Sequence, residues 1–161
     1  MIIETARLVL RQFQLKDLSQ LHFYRNNPLC TRYQEWEDTT LDELDLFIQE
    51  NMTRSLNDQQ IQLAIASKKD DQLIGDIFVA KKGKTITLGF TTSPPYQRQG
   101  YMFEALTTFI PYLQKQFPLS DIICLVHPGN IASEHLLYKL HFEKEEYIPE
   151  FNSNIFTIKK K

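Results

Sequence analysis

Glycine is scarce in this chain. Only 5 of its 161 residues are glycine, about 3% against a usual share near 7%, so nearly every glycine is expected where the backbone demands one. Cysteine is scarcer still, with Cys30 and Cys124 alone. In a chain with no export signal, two cysteines read as free thiols rather than a disulfide framework. No stretch approaches the roughly 18 uninterrupted apolar residues of a membrane helix. The N-terminal run MIIETARLVLRQF is broken by Glu4, Arg7 and Arg11, so it lacks the apolar block of a signal peptide. The expected location is cytoplasmic, with no membrane partner. Charge of one sign is missing too. A formal net charge of -2 with scattered basic residues leaves no electrostatic stripe for nucleic acid, and the terminal Lys159, Lys160 and Lys161 read as a solvated end. No linker, repeat or low-complexity segment divides the chain, so residues 1–161 are expected to form one domain.

What is present is periodic. A strand is predicted over 7–13 and a helix over 15–27 with Leu15, Leu18, Leu21 and Phe23 inward, ended by Pro28. Thr40 and Glu43 have the spacing of a capping box, and Leu44, Phe47, Ile48 and Met52 recur at helical intervals, which predicts a second helix to about Ser55. Runs over 62–69, 73–82 and 85–92, separated by Asp70-Asp71 and by Gly83, read as an antiparallel meander. A long helix over 100–117 follows, with Pro111 expected to kink it or end it early. Then come a strand over 122–127, apolar on both faces, a helix over 130–141 and two closing strands. The strand-helix-strand order implies a parallel crossover, within an α/β (α+β) fold.

The most informative segment is Gly89-Phe-Thr-Thr-Ser-Pro-Pro-Tyr-Gln-Arg-Gln-Gly100-Tyr-Met-Phe-Glu104, which runs from a strand through a polar loop into a helix. The first amides of a helix lack intrahelical acceptors and lie at the positive end of its dipole, so such a loop suits a pyrophosphate. Gly100 lets the backbone approach closely and Arg98 adds a cation. A plain strand-to-helix turn with a surface arginine fits the same residues.

The run Gln97-Arg98-Gln99-Gly100-Tyr101 resembles the acetyl-CoA loop of the GNAT superfamily of N-acetyltransferases, whose pattern is Q/R-x-x-G-x-G/A; Met102 stands where the pattern ends in a small residue. Downstream, Asn130-Ile-Ala-Ser133-Glu-His-Leu136-Leu137-Tyr138-Lys-Leu140-His141-Phe142 resembles the family's N-x-x-[A/S]-x-x-L-x-x-x-[L]-G-F helix, with His141 in the place of its glycine. The start, E-T-x-R-L-x-L-R-x-F followed by D-L and then R-Y-x-x-W before a capped helix, is similar to the branch that acetylates ribosomal proteins at an N-terminal alanine or serine. The resemblance covers essentially the whole chain. It implies a mixed, mostly antiparallel central sheet with helices on both faces, its strands splayed at an acetyl-CoA site.

By this resemblance the backbone of Phe90, Thr91 and Thr92, beside a bulge, pairs with the pantetheine arm of acetyl-CoA. The amides of Arg98, Gln99, Gly100, Tyr101, Met102 and Phe103 line its pyrophosphate. Asn130 is implied to contact cofactor or an active-site water, although asparagine is also a good helix cap. The reaction needs a neutral amine to attack the thioester carbonyl and a proton for the departing thiolate. The tyrosine that many members use for that proton falls at Leu137; Tyr138, one residue later and about 100° round the helix, does not inherit the role. Ser133 matches the serine of the ribosomal-protein branch and is the candidate donor, with an ordinary helix polar group as its alternative.

Positions that hold a base in relatives are Thr87 and Leu125 here. The remaining candidates are Glu35 and Glu37 beside Trp36, His127, and Asp76, for which exposure on a sheet face is the plainer reading. An α-amine, with a pKa of about 7.7–8.0, has an appreciable neutral fraction without a base; a lysine near ~10.4 needs more help. Tyr33 and Trp36 border the implied acceptor groove, in an aromatic cluster with Phe23 and Tyr24. Cys124, His127, His135 and His141 have spacings that spread them over different faces, so no metal is expected. The implied function is direct transfer of an acetyl group from acetyl-CoA to a primary amine. That amine is a protein N-terminus or a small molecule such as a polyamine or antibiotic; a CoA-binding regulatory module without catalysis is the reading from another class. A homodimer is left open.

Overall fold

A computed structural model describes residues 2–34 and 36–158; Glu35, Lys159, Lys160 and Lys161 lie outside them. A short strand, β1 (Ile3–Glu4), pairs with β2 (Leu8–Gln12), and only the second of these is predicted by periodicity. A 3-10 turn, Leu15–Asp17, precedes α1 (Leu18–Arg25). Leu15, in that turn, is exposed, and so is Phe23, which lies about 200° round α1 from the buried Leu21, against the inward positions expected for both; Leu21, Tyr24 and Arg25 face the core. Pro28 does more than end a helix. It is the first residue of another, α2 (Pro28–Thr31), where its missing N–H costs nothing and Asn27 Oδ1 accepts from Leu29 N at 2.9 Å.

The expected capping box opens α3 (Leu41–Met52): Glu43 N donates to Thr40 Oγ1 (3.2 Å) and Thr40 N to Glu43 Oε1 (3.1 Å). Those bonds from Thr40 hold the Glu43 carboxyl below its ordinary pKa. The meander is β3 (Gln60–Ser67), β4 (Leu73–Lys82) and β5 (Thr85–Thr92), turning at left-handed Asp71 and Gly83. Then follow α4 (Tyr101–Gln116), β6 (Asp121–Val126), α5 (Ile131–Lys139), β7 (Glu143–Ile148) and β8 (Ser153–Ile158).

The strands form one sheet in the order β1-β2-β3-β4-β5-β6-β8-β7. Every pairing is antiparallel except β5–β6, which α4 joins as a parallel crossover. Leu106, Phe109 and Leu113 of α4 and Leu137 of α5 pack with Leu10, Ile65, Ile77 and Phe156 in one core. Leu21 and Tyr24 of α1 and Leu44 and Ile48 of α3 build the other. Burying each such side chain contributes about 1.5–3 kcal/mol. The α4 helix runs through Pro111 to Gln116 instead of ending early, because Pro111 lies on its exposed side while the apolar stripe stays packed. Cys30 and Cys124 are buried free thiols. No helix among the described residues is long and apolar enough to cross a membrane.

With helices over both faces of the sheet, Leu73–Ile77 of β4 is buried at every position. Asp76 is only 2% exposed, which corrects the expectation of a solvent-facing carboxylate. Its side chain does point opposite to that of Ile77, but α1 covers that face. Tyr24 Oη and Gln62 Nε2 (2.8 Å) donate to it, and burial holds its pKa above the ordinary range while Arg25 opposes the shift. Arg25 in turn lies between the rings of Trp36 (4.8 Å) and Phe47 (4.6 Å).

His141 adopts the left-handed conformation (φ 69°) just past α5, donating its N–H to Tyr138 O at 3.0 Å. The backbone there has the shape for which glycine is the natural choice, and a histidine supplies it at some strain.

Candidate functional site

The parallel seam is incomplete. Strands β5 and β6 pair from Thr85↔Asp121 to Leu88↔Cys124 and no further, although β5 continues to Thr92 and β6 to Val126. On its other side β5 stays paired with β4 through Gly75↔Thr92. Residues Gly89–Thr92 therefore turn a free edge toward the gap, where alternate backbone groups are available to an extended ligand. The bulge expected beside Phe90 is not in the β4–β5 ladder, whose register is unbroken; it lies one strand over, on β4, where Ile65 pairs with Gly75 and Ala66 with Leu73, leaving Ile74 as the extra residue next to the Gly75↔Thr92 pair. On the side away from the gap, β5 lies tight against β4. A side chain at Gly75 would put its Cβ 2.2 Å from Thr91 O, and Ser93 N is anchored to Ile74 O at 2.8 Å.

Below the gap, the loop after β5 makes one 3-10 turn at Pro94–Tyr96 and then two left-handed residues, Arg98 (φ 62°) and Gly100 (φ 78°). Gly100 is the N-cap of α4 and brings no side-chain cap; Glu104 N donates to Gly100 O (3.0 Å), while the N–H groups of Tyr101, Met102 and Phe103 have no hydrogen-bond partner among the described residues. Open amides at a helix N-terminus beside an arginine form a donor set suited to a pyrophosphate, and the free edge above them suits an amide-bearing arm. The residues fit acetyl-CoA.

A cavity of about 490 Å³ joins these two features. Its walls include Phe90, Thr91 and Thr92 of β5; Arg98, Gly100, Tyr101, Met102 and Phe103 of the loop and α4; Asn130 and Ser133 at the start of α5; and Tyr33. Two expected residues are not in its lining. Gln99 points away, its side-chain amide donating to Pro95 O (2.8 Å) and its carbonyl accepting from Arg7 Nη2 (3.1 Å). Trp36 packs under the guanidinium of Arg25 with the second core. Sequence reasoning missed Leu29, Cys30, Arg32 and Gln34 on one wall, Gln97 beside the loop, and His135, Leu136 and Lys139 on α5. The α5 residues were within reach, since 132, 135, 136 and 139 form one helical stripe. The α2 wall carries no such signal.

Asn130 caps α5, its Oδ1 accepting from Ser133 N at 3.2 Å. The half-buried Ser133 hydroxyl has no partner among the described residues. Leu137 is fully buried, and Tyr138 lies outside the cavity, its hydroxyl facing Glu134 (3.4 Å) and its ring edge-on to Phe156. Tyr138→Phe is therefore expected to leave kcat within about twofold; steady-state turnover checks it, and a large loss would place the proton donor one residue along the helix.

None of the candidate bases among the described residues reaches the cavity; Glu35 lies outside those residues. Glu37 is exposed and Asp76 is sealed beneath the sheet. His127 is turned to its own loop: Nδ1 accepts from Gly129 N (2.9 Å), and Nε2 lies 3.2 Å from Asn152 Nδ2. Its ring also stacks against Tyr33, with centroids 4.9 Å apart. Cys30 Sγ donates to Thr92 O (3.5 Å), and burial pushes its pKa up to about 11, so it is a neutral wall residue. The charged side chains that line the cavity include the cations Arg32, Arg98 and Lys139, and no aspartate or glutamate is among the described lining residues. No three metal-ligating side chains come together among the described residues.

Comparison with known proteins agrees with this arrangement. Residues 7–143 match the acetyltransferase (GNAT) domain family. An uncharacterized N-acetyltransferase, YnaD, of Bacillus subtilis (strain 168) is 28% identical over 149 residues, covering 91% of this chain and 85% of that protein. The [ribosomal protein uS5]-alanine N-acetyltransferase of Escherichia coli (strain K12) is 39% identical over 64 residues, 40% of this chain and 33% of that one. Among solved structures, a GNAT-family acetyltransferase from Bacillus anthracis superposes with a TM-score of 0.83 at 24% identity, covering 99% of each chain.

Proposed function

The chain belongs to the GNAT acetyltransferase family and is an acetyl-CoA-dependent N-acetyltransferase, and on that premise we propose that its acceptor is the α-amine of a protein N-terminus. The observation that carries this reading is the charge of the cavity on its acceptor side, where Arg32 stands beside Tyr33 and no aspartate or glutamate is among the described lining residues. A polyamine carries several positive charges and would meet Arg32 with no described carboxylate to offset it, whereas a peptide N-terminus brings one amine and a row of neutral backbone groups. An α-amine also suits a site in which Asp76 and His127 are held away from the cavity, because about a tenth or more of it is neutral near pH 7 without a base. The uS5-alanine N-acetyltransferase relative acts on such an amine by name.

Acetyl-CoA, when bound, supplies the thioester that the amine attacks, with the CoA thiol as leaving group. The free edge of Phe90, Thr91 and Thr92 orients the pantetheine arm by strand-like pairing. The amides of Tyr101, Met102 and Phe103, with Arg98, hold the pyrophosphate. Ser133 Oγ would pass its proton to the departing sulfur and take up the proton that the attacking amine loses as the amide forms, so the serine ends neutral; Asn130 fixes the turn that presents it.

The test is release of free CoA thiol over a panel of acceptors, with products mapped by mass spectrometry. The panel holds short peptides with free N-termini, the same peptides N-blocked but carrying a lysine, and spermidine. Turnover on the free N-termini alone is the expected result. Preference for spermidine or for the lysine side chain rejects the α-amine reading.

A further inference from the structure

A loop with two left-handed residues and a row of unbonded amides needs something to hold its shape before a ligand arrives. Among the described residues, no side chain caps the N-terminus of α4. The support comes from the far end of the chain. Arg7, in the bend between β1 and β2, donates from Nη2 to Gln99 O (3.1 Å), and its guanidinium lies over the Tyr101 ring (4.2 Å), so it grips the loop on both sides of Gly100. Its Nε donates to Glu104 Oε1 (2.7 Å) and its backbone N–H to Oε2 (2.9 Å), where Thr5 Oγ1 also donates (2.5 Å). Lys68 ties the same bend down through Thr5 O (3.0 Å) and Glu4 (2.6 Å).

Glu104 has an electrical consequence. It stands in the first turn of α4, where an uncompensated carboxylate repels any anion seated on the same amides. Burial pushes its pKa up, but the Thr5 hydroxyl and Arg7 outweigh that and hold it below the ordinary value, so it stays ionised. Arg7 is both its counter-ion and its link to the loop.

We propose that Arg7 is a positioning residue for acetyl-CoA, acting through the Gln99 carbonyl, the Tyr101 ring and the Glu104 carboxylate to keep the α4 loop open and free of net negative charge. The proposal rests on the reading of that loop as the pyrophosphate site. Arg7 lines no part of the cavity.

Kinetics with two acetyl donors test it: acetyl-CoA, and S-acetylpantetheine, which has the same thioester and no pyrophosphate. Turnover of the unaltered protein with acetyl-CoA tests the underlying reading by itself, and its absence sinks that reading. Given turnover, Arg7→Met is expected to raise the KM for acetyl-CoA about tenfold with kcat unchanged, while kcat/KM for S-acetylpantetheine stays within about twofold. Adding Glu104→Gln to Arg7→Met is expected to recover about threefold of the acetyl-CoA loss, because the bare carboxylate is gone. A general loosening of the fold would lower both donors together. Equal losses with the two donors, or an unchanged KM for acetyl-CoA, overturns the proposal.

Discussion

Gly75→Ala is expected to lower the melting temperature by about 5–10 °C and to abolish measurable saturation with acetyl-CoA. The added methyl would stand 2.2 Å from Thr91 O, which is backbone and cannot swing aside as a side chain would. Gly75 lies in the fully buried stretch of β4, paired on one side with Ile65 and on the other with Thr92. Relief therefore requires β4 and β5 to move apart at the residues that give β5 its free edge. Overpacking of this kind typically costs about 1–3 kcal/mol, with backbone clashes at the upper end, out of a total stability of about 5–15 kcal/mol. Thermal unfolding and acetyl-CoA titration together measure it. A variant with the melting temperature and KM of the unaltered protein would show that β4 and β5 can separate here without cost.

Ser133→Ala is the complementary experiment, aimed at chemistry instead of shape. If its hydroxyl protonates the leaving sulfur, kcat falls about a hundredfold, the lower end of what a positioned acid contributes, while the KM for acetyl-CoA stays within about twofold. Stability should not suffer. The hydroxyl has no partner among the described residues, the bond that closes the cap runs from Ser133 N to Asn130 and survives the change, and alanine is the better helix former by about 0.5 kcal/mol. A kcat within threefold of the unaltered enzyme would reduce Ser133 to a polar residue on a helix.

How much of this was legible in the sequence depended on how local each cause is. The α3 capping box, the turns at Asp71 and Gly83, and the strand-loop-helix around Gly100 are set by residues a few positions apart, and all are found where periodicity and spacing put them. Asp76 shows the limit. Alternation gave its direction correctly, but whether that face is wet or covered is decided by α1, some fifty positions earlier. The same applies to Tyr24, whose buried hydroxyl finds its acceptor in Asp76. At the site, the walls contributed by β5, α4 and α5 follow from two short motifs, while the α2 wall with Cys30 and Arg32 is a product of chain folding and has no motif of its own. Nor does the sequence tell that the Gly129 amide donates to His127 Nδ1 and turns the ring to its own loop.

The seam between β5 and β6 holds together by four residue pairs, against eight between β4 and β5. Mechanically, the sheet is two wings, β1 to β5 and the trio β6, β8 and β7, sharing a short hinge at one end and standing apart at the other. A ligand lying in the gap supplies the missing rungs and turns the hinge into a beam. Grip and stiffness would then be one event, with the seam stiffest while the gap is filled.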